Sequence, residues 1–150
     1  MPRFCRRLAK GVFDLDGLRA RTAELADFVA EAATAYGFDA ARVTAAGYSN
    51  GANIAASLLL LRPLTLAGAA LFRPMVPLQP EAAPHLGGTP VLLAAGRQDA
   101  LVAPQETERL SALLGSYGAD VTVHWHAGGH GLGPDDVSAV QQWLAAHPSL

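Results

Sequence analysis

One stretch limits what this chain can fold into. Val43-Thr44-Ala45-Ala46-Gly47-Tyr48-Ser49-Asn50-Gly51-Ala52-Asn53-Ile54 reads as a short apolar strand, a sharp Gly-Tyr-Ser-Asn-Gly turn, and a helix running on through residues 58–61. A serine hydroxyl is a weak nucleophile, and it reacts only when held clear of the backbone, beside a base and beside amide donors. A strand that turns directly into a helix at the serine achieves this at the cost of local backbone strain. Gly47 and Gly51 are expected to let strand and helix pass closely at the turn. The new helix would aim its unpaired N–H groups and positive dipole end at a developing oxyanion. The competing explanation is a glycine-rich turn with an ordinary helix-capping serine. Glycine supplies 15 of the 150 residues, so the Gly-x-Ser-x-Gly spacing arises by chance in roughly one such chain in twenty. The surrounding pattern has to decide.

Strand-like and helix-like segments alternate along the chain without a composition break or internal repeat. From Asp14 onward, Leu18, Thr22, Leu25, Val29, Ala32 and Tyr36 recur at helical spacing, with Asp14 or Asp16 as cap and Gly37 past the end. Residues 1–13 show no period and are expected to be irregular. After the strand over 43–47 and the helix over 50–61, Pro63 stops the helix. A second apolar strand follows over 64–72, then a stiff loop through Arg73-Pro74-Met75-Val76-Pro77 and an irregular stretch to residue 88. Residues 91–95 are uniformly apolar, as expected of a strand buried on both faces. Pro104 opens a helix with Leu110, Leu113, Leu114 and Tyr117 as its core stripe, closed by Gly118. Residues 121–126 alternate, with Val121, Val123 and Trp125 inward and His124 and His126 toward solvent, which suits a half-exposed strand near an edge. A last helix from Pro134 should bury Val137, Val140, Trp143 and Leu144, with Asp135 and Asp136 complementing its dipole. The expected architecture is one domain over 1–150, a parallel sheet with helices on both faces.

In such sheets ligands sit beyond the carboxyl ends of the strands, so the partners of Ser49 should also follow strand ends. Asp99 follows the third strand through Gly96-Arg97-Gln98, and His130 follows the fourth through Gly128-Gly129. In this arrangement His130 takes the Ser49 proton and later returns it, while Asp99 orients the imidazole. Each of the last two has a plainer explanation alone, as a loop-capping aspartate and a histidine in a glycine-rich turn. Together, at the proper strand ends and in the order Ser, Asp, His, they make a coherent set. His85 and His147 are weaker candidates, and no His/Cys/Glu spacing points to a metal.

The bulk numbers exclude other classes. The chain is 51% hydrophobic and 16% charged, with a formal net charge of −2. That suits a folded domain and offers no electrostatic case for nucleic acid or an anionic membrane. Its longest apolar run, 54–61, is too short to span a bilayer. Arg3, Arg6, Arg7 and Lys10 imitate the start of a signal peptide, but Gly11, Asp14 and Asp16 follow instead of an apolar core. A single cysteine, Cys5, excludes an internal disulfide, and a reducing, cytoplasmic setting is the expectation.

Gly47-Tyr-Ser-Asn-Gly-Ala-Asn53, the run from Pro90 through Gly-Arg-Gln-Asp99 to Pro104, and Gly-Gly-His130-Gly-Leu together resemble the phospholipase/carboxylesterase branch of the α/β hydrolases, which includes acyl-protein thioesterases. Leu71-Phe-Arg-Pro-Met-Val-Pro77 is closer still to a bacterial subgroup of small carboxylesterases. The resemblance implies a cofactor-free, metal-free serine esterase acting on short or medium acyl esters or thioesters. Carried over onto this sequence, Ser49 is nucleophile, Asp99 orients, His130 is general base, and the Asn50 amide is one oxyanion donor. Met75 and Val76 would border the acyl pocket, and Arg73 is either a structural anchor or a substrate ligand.

Members of that branch begin with roughly fifty more residues, including a His-Gly-Gly-type loop that supplies a second oxyanion donor, and nothing of that kind precedes Ser49. His85-Leu-Gly-Gly88 comes after the nucleophile and does not fit. The four expected strands correspond to the C-terminal part of the family's sheet. On that comparison the chain is expected to be N-terminally truncated, with weakened hydrolysis and an exposed central edge that invites pairing with another copy. The alternative is a non-catalytic α/β-hydrolase fragment acting as a binding or association module. Chemistry of the dienelactone hydrolase type would call for cysteine at position 49 and is disfavoured.

Overall fold

The computed structural model describes residues 7–9 and 12–150. Cys5 and the basic residues Arg3, Arg6 and Lys10 lie outside the described residues. The expectation of irregular chain up to residue 13 is corrected by two short strands, β1 (Arg7–Ala9) and β2 (Val12–Phe13), paired antiparallel. Five strand residues carry too few alternations to announce themselves as a period.

Helix α1 (Leu15–Tyr36) starts where Asp14 accepts a hydrogen bond from the Gly17 N–H at 3.1 Å. It ends where Gly37, at φ 72°, returns its N–H to the Ala33 carbonyl. Leu18 and Thr22 are buried as the period requires, but Tyr36 is 82% exposed and Ala33 takes the buried position. α1 runs for 22 residues against 12 in its neighbour α2 (Asn50–Leu61), about 33 Å against about 18 Å.

The main sheet is parallel, in the order β3 (Thr44–Tyr48), β4 (Gly68–Phe72), β5 (Pro90–Gly96), β6 (Asp120–His126). β4 begins later than its apolar run suggested. Leu64 takes a φ of 74° and the Thr65 N–H bonds the Arg62 carbonyl, so residues 62–65 turn before the strand can start. β5 is central and buried throughout from Val91, while β6 is an edge strand.

Alternation divides the core in two. Ala69, Leu71, Val91 and Leu93 face a large cluster closed by α2 and by Leu110 and Leu114 of α3 (Pro104–Ser116). Ala70 and Leu92 face a smaller one under Trp143 and Val140 of α4 (Pro134–Ala146). Helices therefore cover both faces, unequally. α4 buries only half of the expected stripe: Trp143 is 4% exposed and Val140 packs beside it, but Val137 is 59% exposed and Leu144 also faces out, while Asp136 is 2% exposed. The burial of a carboxylate sets the rotation of this helix. His124 and His126 face solvent only in part: each is half-buried, with its Nε2 atom covered.

The register carries all four strand ends to one side. Tyr48 pairs with Phe72, Phe72 with Ala94, and Gly96 with His126. Residues 49, 73, 97–99 and 127–130 therefore leave the sheet along a common edge.

Candidate active site

Ser49 occupies that edge with φ 54° and ψ −111°. A non-glycine residue there costs about 1–3 kcal/mol and persists only where its surroundings enforce it. Its backbone N–H is fixed to the Phe72 carbonyl at 2.9 Å, and its own carbonyl accepts from the Asn53 N–H at 3.0 Å, so strand and helix both constrain the turn. Gly47 makes the close passage possible, because a Cβ there would sit 2.4 Å from the Gly51 carbonyl oxygen. Gly51 does not share this duty, since a Cβ at that position meets nothing within 4 Å. Although Ser49 stands at the N-cap of α2, its side chain makes no capping bond. Its Oγ lies 3.1 Å from His130 Nε2.

His130 Nδ1 lies 2.8 Å from Asp99 Oδ2. An ionised carboxylate only accepts, so the proton belongs on Nδ1, leaving Nε2 to accept from the serine hydroxyl. The other carboxylate oxygen of Asp99 accepts from the N–H groups of Leu101 at 2.8 Å and Val102 at 3.0 Å. Burial by itself would raise the pKa of Asp99. The Val102 N–H, the His130 ring and the Leu101 N–H outweigh that effect and hold it below the ordinary carboxylate value.

Two side chains outside the expected set, Tyr48 and Asn53, bear on this arrangement, and so does Arg73, whose two expected roles the burial separates. Tyr48 donates its hydroxyl to the His130 carbonyl at 3.2 Å, and its ring lies 5.4 Å from the imidazole. Asn53 accepts from the Met75 N–H at 2.8 Å and so ties α2 to the loop after β4. Arg73 is 1% exposed and pairs with Asp136. It is an anchor rather than a group open to substrate, and Asp136 does more than complement a helix dipole. Tyr48 and Asn53 were visible inside the Gly-Tyr-Ser-Asn-Gly-Ala-Asn motif, but nothing local in the sequence links Arg73 to a residue 63 positions away. Met75 packs into the large core cluster with Val76 against it. His85 is exposed, and His147 faces the Trp143 carbonyl at the end of α4, so neither joins Ser49. Among the described residues no group of three His, Cys, Asp or Glu side chains is placed to hold a metal, and no helix is long and apolar enough to cross a membrane.

The sequence profile of the dienelactone hydrolase family matches residues 7–145. The MhqD protein of Bacillus subtilis (strain 168) is 46% identical over 143 residues, covering 95% of this chain and 72% of that protein. Among solved structures, the Bacillus cereus carboxylesterase matches with TM-score 0.94 and 46% identity, over 97% of this chain and 69% of its own. A carboxylesterase from Mesorhizobium loti matches with TM-score 0.88 and 37% identity, over 95% and 68%. The four parallel strands and their helices are thus those of an α/β hydrolase, in keeping with the resemblance carried by the sequence motifs. The chain belongs to the dienelactone hydrolase family of the α/β-hydrolase superfamily.

Proposed function

We propose that this hydrolase is a serine carboxylesterase or thioesterase acting on short or medium acyl esters. The observation that carries the reading is the Ser49 hydroxyl, released from helix capping, held at positive φ, and 3.1 Å from an imidazole whose far nitrogen faces a buried carboxylate. Ser49 Oγ attacks the acyl carbon while His130 Nε2 takes the hydroxyl proton. The imidazolium returns that proton to the leaving alcohol or thiol as the tetrahedral intermediate collapses to an acyl-enzyme. Water repeats the sequence, with His130 again the base, and frees the acid. Asp99 stabilises the imidazolium without taking its proton. The Asn50 N–H, first in α2, is one donor to the oxyanion, assisted by the helix dipole. The reaction requires no cofactor, and a cytoplasmic setting fits the single cysteine. Met75 and Val76, just past the end of β4, would border the acyl group, and Met75→Ala should then shift preference along an ester chain-length series.

The test is hydrolysis of p-nitrophenyl butyrate by the parent chain and by Ser49→Ala, His130→Ala and Asp99→Asn. Each substitution should lower kcat by at least about 10³-fold. Hydrolysis retained in Ser49→Ala would refute the reading. One observation favours a second role, in association. β3 pairs with β4 alone among the described strands, and Ala46 and Tyr48 are exposed along it. Such an edge is a template for a strand of another copy. A monomer by sedimentation at all accessible concentrations would exclude that role.

A further inference from the structure

We propose that the buried Arg73–Asp136 pair is a positioning device for His130, and this rests on the esterase reading above. Arg73 follows β4 directly, at φ 56°, a conformation rare and costly for a bulky side chain. Its charge is also removed from water, and a buried ion pair is seldom more stable than an apolar pair of the same volume. Stability alone therefore explains neither the residue nor its backbone.

The hydrogen bonds show what it holds. Arg73 Nη1 donates to the Ala94 carbonyl at 2.9 Å and to Asp136 Oδ1 at 2.9 Å. Nη2 donates to Asp136 Oδ2 at 2.7 Å and to the Gly131 carbonyl at 2.8 Å. Nε donates to the His130 carbonyl at 3.2 Å. All five N–H groups of the guanidinium are thus engaged. Asp136 Oδ2 also accepts from the Gly133 N–H at 2.8 Å. The segment from 130 to 136 is tied at residues 130, 131, 133 and 136, and Ala94 ties it to the central strand. Two of the five bonds go to the carbonyls of His130 and the residue after it. The imidazole has to meet Ser49 on one side and Asp99 on the other, and this set of bonds fixes the backbone from which it does so.

Lysine keeps the charge at position 73 but cannot span Ala94, His130, Gly131 and Asp136 at once. A paired apolar replacement, Arg73→Met with Asp136→Leu, removes every tie without stranding a charge. The experiment measures kcat and KM for p-nitrophenyl butyrate, melting by circular dichroism, and the low-field proton resonance of His130 Nδ1–H. It uses the parent, Arg73→Lys, the paired variant and Ser49→Ala. In the two position-73 variants, kcat should fall about 10- to 100-fold with KM changed less than about threefold. The Nδ1–H resonance should broaden or vanish while the melting transition stays cooperative. Parental kcat and an unchanged resonance in either variant, folded, would overturn the positioning role. Ser49→Ala separates the two claims. Activity surviving there sinks the esterase reading, whereas its loss beside parental kcat in a position-73 variant sinks only the positioning.

Discussion

Replacing Gly96 by alanine should disable the site with little harm to the rest of the fold. Gly96 ends β5, and a Cβ there would lie 2.3 Å from the Gly129 carbonyl oxygen, 2.5 Å from that of Gly128 and 2.9 Å from His126 Nε2. Ordinary contact is near 3.5 Å, so the chain at 128–129 has to retreat by about 1 Å. Both carbonyls belong to backbone, which cannot swing aside like a side-chain tip. His130 is the next residue, and its Nε2 stands 3.1 Å from Ser49 Oγ. A displacement of that size carries the contact beyond hydrogen-bond reach, and a misplacement of about 1 Å costs on the order of 10²-fold in rate. Overpacking costs about 1–3 kcal/mol, more than the 0.4–1 kcal/mol gained by restricting a former glycine in the unfolded chain. For a domain of this size the net loss, at most about 2.6 kcal/mol, lowers Tm by no more than about 10 °C. Ester hydrolysis by stopped assay and melting by calorimetry together check this. Parental kcat/KM in a folded Gly96→Ala variant would refute the argument that this close approach sets the place of His130.

Gly47→Ala should lose about 1–3 kcal/mol, since its Cβ meets the backbone of the first turn of α2, whereas Gly51→Ala should fold and melt at or slightly above the parent temperature. Urea titration distinguishes them. Acid stability follows from Asp99 and Asp136. For Asp136, burial raises the pKa, but the Arg73 hydrogen bonds, the Gly133 N–H and the neighbouring charges of Arg73 and His126 outweigh it, so both groups titrate below the ordinary carboxylate value. Their contribution is complete above the unfolded value of about 3.9 and is lost as pH falls through the lower folded values. Melting temperature should therefore drop as pH falls below about 4, and less steeply in Asp136→Asn; an equal slope in that variant would count against the assignment.

The site was more legible in the sequence than the surfaces around it, and the reason is local. Ser49, Asp99 and His130 each stand just past a strand, and a parallel sheet carries all such positions to one edge, so strand order alone predicts the meeting. Asp14 and Gly37 were legible because caps act within four residues. The errors come from partners distant in sequence. The rotation of α4 is set by Asp136 reaching Arg73, so Trp143 is buried as expected while Val137 and Leu144 are not. Tyr36 continues a helical period, yet in the last turn of α1 it is Ala33 that is buried. His124 and His126 alternate outward along β6, yet their Nε2 atoms are buried, in keeping with the closeness of His126 to Asp136 and to the position of Gly96. Gly51 looked equivalent to Gly47 by spacing, and only the direction in which each Cβ would point separates them.

Covalent labelling distinguishes a nucleophilic Ser49 from an ordinary surface hydroxyl. The chain is treated with a fluorophosphonate, followed by intact mass spectrometry, peptide mapping and residual hydrolysis of p-nitrophenyl butyrate. One adduct per chain is expected, on Ser49, with activity falling in proportion to labelling and no adduct in His130→Ala. Full hydrolysis by chains labelled completely at Ser49, or an adduct that forms elsewhere and abolishes activity, would contradict it.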